Sequence, residues 1–164
     1  MISPELVRQY KFFANLDNEE IMALVKQSKE KVLNAGEFFF NENEAVNCLH
    51  LVIEGAVAIV MQVPDQTAPQ NISGQLMGEL VLKDVIISTI GTGDIFGCSS
   101  LVPPYQAIAS AKALTSPCRV IVFDCVSLRN EGSPKIIYKM TQKAAQILRD
   151  RLRDIHIETL AQIA

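Results

Sequence analysis

Near the C-terminus the hydrophobic positions Ile137, Met140, Ala144, Leu148, Leu152 and Ile155 recur at three- and four-residue steps among charged residues. That spacing predicts one continuous amphipathic helix, and Ser133-Pro134 ahead of it offers a cap and a proline for the first turn. A helix of about 30 residues outruns the face of one small β unit, so these six residues are expected to meet the same helix of a second copy. A helix folded back along its own body is the alternative. At the other end, Ser3-Pro4-Glu5 and Asp17-Asn-Glu-Glu20 open two short helices, the second with a reciprocal Asp and Glu cap. Phe12, Phe13, Leu16, Ile21, Leu24 and Val25 form a face that packs onto something larger.

Between Lys31 and Val126 the periodicity changes. Short runs of branched and aromatic residues alternate with Gly, Pro and Asn, the texture of antiparallel β structure. Strands are predicted over Phe38–Phe40, Cys48–Ile53, Ala56–Val63, Leu80–Ile90, Ala107–Ala113 and Arg119–Phe123, with Glu54-Gly55 as a tight turn. Pro64–Gly78 is polar and aperiodic, which predicts a mobile surface connection. The expected fold is mainly β, an antiparallel roll of jelly-roll type with short N-terminal helices and a long C-terminal helix. Residues 1–164 are expected to form one domain, divided into helices (1–30), roll (31–126) and C-terminal helices (127–164).

Composition narrows the partners. A chain of 164 residues with 49% hydrophobic content can build a core unaided, and a net charge of −3 supplies no overall field for nucleic acid or anionic lipid. No apolar run approaches the roughly 20 residues of a membrane span. Cys48, Cys98, Cys118 and Cys125 form no CxxC pair and follow no signal-peptide pattern, which points to a reduced, cytoplasmic setting.

Candidate chemistry concentrates in Gly91–Ser110, which has one charged residue, Asp94. Phe96-Gly97-Cys98-Ser99-Ser100 leaves a strand and starts a short helix whose amides point outward, and Ser99 and Ser100 add hydroxyl donors. The same serines serve equally as ordinary caps. Cys98 there is either a thiol activated by the helix start or a small buried hydrophobe. His50 is expected to be a strand residue with a satisfied ring and His156 a solvated helix position, so no metal site is expected from them. Arg149-Asp-Arg-Leu-Arg153 is neutralised by Asp150 and Asp154 and reads as a solvated or intersubunit helix face. No acid, base, nucleophile or metal groups gather, so no catalytic residues are assigned and an enzyme is not expected.

Asn34-Ala-Gly-Glu37, Leu49-His-Leu-Val-Ile-Glu-Gly-Ala-Val57 and Ile90-Gly-Thr-Gly-Asp-Ile-Phe-Gly97, followed by two strands and a long helix, resemble the cyclic-nucleotide-binding domain of the catabolite activator and protein kinase A regulatory subunit family. The resemblance covers nearly the whole chain. It implies an eight-stranded roll, a phosphate-binding cassette with a short helix, and a role in sensing cyclic AMP or cyclic GMP. In transcription regulators of the family a DNA-binding domain follows the long helix; this chain is expected to be the sensory part without it.

The resemblance fails at two positions. Family members that bind cyclic nucleotides carry a glutamate for the ribose directly after Phe-Gly and an arginine for the phosphate about nine residues on. Cys98 and Ala107 stand there, and a one-residue slip brings only Gln106. Losing a buried arginine opposite a phosphate costs on the order of 3–5 kcal/mol. The expected ligand site therefore comprises Phe96, Gly97, Cys98, Ser99, Ser100, Gln106, Ala107 and Ile108. It suits an uncharged or mildly polar effector, with no bound cofactor and no tight cyclic nucleotide. The function expected is that of a ligand-sensing regulatory domain acting as a homodimer. The alternatives are a ligand-free dimerisation module and the effector half of a longer transcription regulator.

Overall fold

Both N-terminal helices start where their sequences place them, and the second is capped as predicted. In the computed structural model, which describes residues 1–65, 81–131 and 133–164, α1 spans Pro4–Arg8 and α2 spans Asn18–Lys26. Asp17 accepts from the Glu20 amide at 2.8 Å while the Glu20 carboxylate accepts from the Asp17 amide at 3.0 Å, the reciprocal cap that the spacing predicts. Ser3 makes no side-chain cap; its hydroxyl donates to Glu5 instead. A 3₁₀ turn at Lys11–Phe13 links the two helices and buries Phe12 and Phe13.

Eight strands follow among the described residues: β1 Ser28–Leu33, β2 Phe38–Phe40, β3 Cys48–Glu54, β4 Val57–Pro64, β5 Leu82–Ile90, β6 Ile95–Phe96, β7 Ser110–Ala113 and β8 Cys118–Asp124. They pair antiparallel in two four-stranded sheets, ordered β1-β8-β3-β6 and β2-β7-β4-β5. Strand alternation divides the core. Leu49, Leu51, Ile121 and Phe123 face the helices, whereas Val52, Phe96, Val120 and Val122 fill the space between the sheets.

Two boundaries differ from expectation by three residues. β1 pairs with β8 from Ser28↔Phe123 to Leu33↔Cys118, so the roll begins before Lys31. Lys29, Glu30 and Lys31 hide this strand from a hydrophobic pattern because it lies at a sheet edge, where charge is tolerated. The strand expected at Ala107–Ala113 starts only at Ser110, because the Ala107 amide and carbonyl are committed to Glu44 and Asn43 rather than to a ladder. The connection expected at Pro64–Gly78 lies outside the described residues except for Pro64 and Asp65.

Helix α3 spans Cys125–Asn130 and α4 spans Pro134–Ile163. Met140 and Ala144 are buried in the chain's own core with Ile136, and half-buried Ile137 packs against the same cluster. This corrects the intersubunit role expected of Met140 and Ala144, which the first turns of α4 bury in the helix-facing core, whereas Ile137 is only partly covered there. Lys139 clamps the contact, donating to buried Glu20 at 2.8 Å and to the Asn15 carbonyl at 3.2 Å. Burial works against the Glu20 charge, but Lys139 and the Asp17 amide outweigh it and hold its carboxyl below the usual range. Leu148, Leu152 and Ile155 remain exposed beyond this anchored part.

Candidate ligand-binding site

The cassette hangs from the edge of the β1-β8-β3-β6 sheet. Strand β6 pairs with β3 through His50↔Phe96 and Leu51↔Ile95, and Gly97 then reverses the chain with φ 80°. A single 3₁₀ turn follows at Cys98–Leu101. Ser100 is fully buried and donates its hydroxyl to the Gly97 carbonyl at 2.7 Å, so it braces the turn and offers nothing to a ligand. Arg129 on α3 donates to the Ser100 carbonyl at 2.7 Å and lies 4.2 Å from the Tyr105 ring centroid. The cassette is thus tied to β3, to α3 and to the loop before β7.

Beside it opens a cavity of about 320 Å³. Phe96, Gly97, Cys98 and Ser99 form one wall, Ala107, Ile108 and Ala109 another, and Phe40, Ile59 and Val102 extend the apolar surface. Helix α4 closes the site with Leu148 and Arg151, whose guanidinium donates to the Ile95 carbonyl at 3.0 Å. Six of the eight expected site residues therefore converge. Gln106 does not: its amide nitrogen donates to the Asn43 carbonyl at 2.8 Å, away from the lining. Burial pushes the Cys98 pKa up to about 11, the direction of a small buried hydrophobe rather than of an activated thiol. Arg151 escapes sequence reasoning because it reads as one member of a neutralised charge run.

The sequence profile of the cyclic nucleotide-binding domain matches residues 30–131, more than half of the chain. The chain belongs to the cyclic nucleotide-binding domain family. Among solved structures, one described as a cyclic nucleotide-binding protein of Geobacter metallireducens is 29% identical, with a TM-score of 0.72 over 93% of this chain and 99% of that one. The N-terminal domain of a transcriptional regulator from Streptomyces coelicolor shares the fold at 22% identity and TM-score 0.62, over 90% of this chain and 92% of that one. So does the regulatory subunit of a cAMP-independent protein kinase A from Trypanosoma brucei, solved as a triple mutant with cAMP in its A site. That subunit is 14% identical, with a TM-score of 0.69 over 95% of this chain and 49% of that one. No curated protein sequence matches the chain.

Within this cyclic nucleotide-binding fold, His50 on β3 differs from its expected satisfied state. Its ring stacks on Phe96 with centroids 4.6 Å apart, and its buried Nδ1 has no hydrogen-bond partner among the described residues. Burial, assisted by the Lys31 charge, pushes its pKa down to about 3 from 6.5. Below pH 6.5 the unfolded chain therefore binds a proton that the folded chain refuses, and stability falls as the pH falls until the folded state itself protonates near pH 3. Between pH 7 and pH 5 this single residue is expected to remove about 2 kcal/mol, a window above carboxylate titration. Urea denaturation of His50→Phe checks it: the substitution is expected to flatten the profile, and an unchanged slope would assign the sensitivity elsewhere.

Proposed function

We propose that the chain is a ligand-sensing regulatory domain whose pocket has diverged from tight binding of cyclic AMP or cyclic GMP. The observation that carries this reading is the cavity itself, in which Cys98 and Ala107 occupy the walls where the family resemblance implies a glutamate and an arginine. The T. brucei subunit supports it as a precedent on the same fold: it is described as cAMP-independent, and the variant holding cAMP includes a replacement by arginine. Isothermal calorimetry with cyclic AMP and cyclic GMP tests the reading. No saturable binding in the micromolar range is expected; a micromolar or tighter constant would overturn it.

Leu148 and Arg151 place part of the cavity wall on α4, so a ligand that prefers one position of this helix shifts its population. The output we assign is a homodimer through the exposed stripe of Leu148, Leu152 and Ile155, which continues to Leu160 and Ile163. Sedimentation equilibrium is expected to show a dimer for the wild type and a monomer for Leu152→Glu with Ile155→Glu. A monomeric wild type would remove this output. The role is regulatory, with no reaction assigned, and four free cysteines fit a reducing cytoplasm. No helix of the described residues is long and apolar enough to cross a membrane.

A further inference from the structure

Arg151 sits in an unusual position for a helix arginine. Among the described residues it is the one charged side chain lining a cavity otherwise dominated by hydrocarbon, and none of them that is acidic joins it there. A guanidinium offers five N–H donors. The Ile95 carbonyl takes one of them, and among the described residues no carboxylate lies within ion-pair distance of Arg151. Its neighbour Arg149, facing solvent, is by contrast paired with Asp150 at 3.2 Å. An arginine held half-buried against apolar walls, with most of its fork unused, lacks the partner that its geometry matches best, a carboxylate accepting two parallel hydrogen bonds.

We infer that the cavity takes a small amphipathic carboxylic acid, its carboxylate on Arg151 and its apolar body against Phe40, Ile59 and Phe96. This rests on the diverged-pocket reading and gives it a ligand class. At about 320 Å³ the space lies at the small end of ligand pockets, which span roughly 300–1,000 Å³. The cation comes from α4 rather than from the loop before β7, so a bound acid grips the helix directly. The competing role for Arg151 is that of a strut, its stem covering the pocket rim and its head bonded to Ile95.

Calorimetry of the full chain with octanoate, octanamide and octyl phosphate separates these roles. The acid is expected to bind at least roughly tenfold more tightly than the amide, the usual worth of a charge-assisted contact. Arg151→Met is expected to abolish that ratio, the acid then binding no more tightly than the amide, and Arg151→Lys to keep part of it. An unchanged melting temperature shows that the methionine variant is folded; were it to unfold, the lysine variant still reports the charge dependence. Equal binding of acid and amide, or a preference that survives Arg151→Met, would make Arg151 a strut while leaving the diverged pocket standing. Preference for octyl phosphate, or binding of none of the three, also overturns the carboxylate assignment. The diverged-pocket reading fails on a different measurement, tight binding of cyclic AMP or cyclic GMP.

Discussion

Valine at Gly97 is expected to destabilise the fold by about 3 kcal/mol or more, the left-handed backbone and the close contacts each contributing. Gly97 has φ 80°, a conformation that a β-branched residue reaches only with strain. A Cβ at this position would stand 2.9 Å from the Cys48 carbonyl oxygen and 2.9 Å from His50 Nδ1. Neither neighbour can move away. The Cys48 carbonyl belongs to β3, which is paired with β8, and the His50 ring is held among Phe39, Phe40 and Phe96. Gly36 provides the control, since it has φ 93° but nothing within 4 Å of an added Cβ. Gly36→Ala should therefore cost only the backbone term, about 1 kcal/mol, and Gly97→Ala clearly more. Urea denaturation at pH 7 compares them, and equal losses for the two alanines would show that the approach to β3 carries no weight.

How far the sequence discloses this molecule depends on how local each signal is. The start and length of α4 are legible because the proline of its first turn and the period are local to the helix, although Ser133 makes no side-chain cap. The division of its seam is not, because Met140 and Leu152 have the same chemistry and only the tertiary fold buries one and exposes the other. The cassette is legible from Gly97 and its neighbours, whose backbone requirement is local. The inward turn of Ser100 depends on Gly97 accepting its hydroxyl, and the diversion of Gln106 depends on Asn43, more than sixty residues away in the chain. Arg151 is the extreme case. In the sequence Asp150 and Asp154 flank it as neutralising charges, yet the fold carries its guanidinium to the Ile95 carbonyl.

Cyclic AMP binding is expected to appear, or to tighten by about a hundredfold or more, when Cys98→Glu and Ala107→Arg are combined. Both positions line the same cavity, so the restored groups would face one ligand. The Ala107 backbone is fixed at both ends: its amide donates to the Glu44 carbonyl at 2.8 Å, and its carbonyl accepts from the Asn43 amide at 2.8 Å. An arginine there leaves the wall in a set direction and loses less freedom on meeting a phosphate than a loop arginine would. It would also share the space with Arg151, so two cations beside the one new carboxylate at position 98 leave a small apolar cavity with a net positive charge until an anion enters. The unliganded double variant should therefore melt below the wild type, and saturating cyclic AMP should return more stability to it than to the wild type. Adding Arg151→Met should raise the unliganded melting temperature without removing cyclic AMP binding, because the phosphate contact is then carried from the wall before β7. Calorimetry and melting curves on the three proteins read these changes together. A double variant that folds yet gains no affinity for cyclic AMP would mean that Ala107 does not face the phosphate position, and the correspondence with the family's binding pocket would fail at that residue.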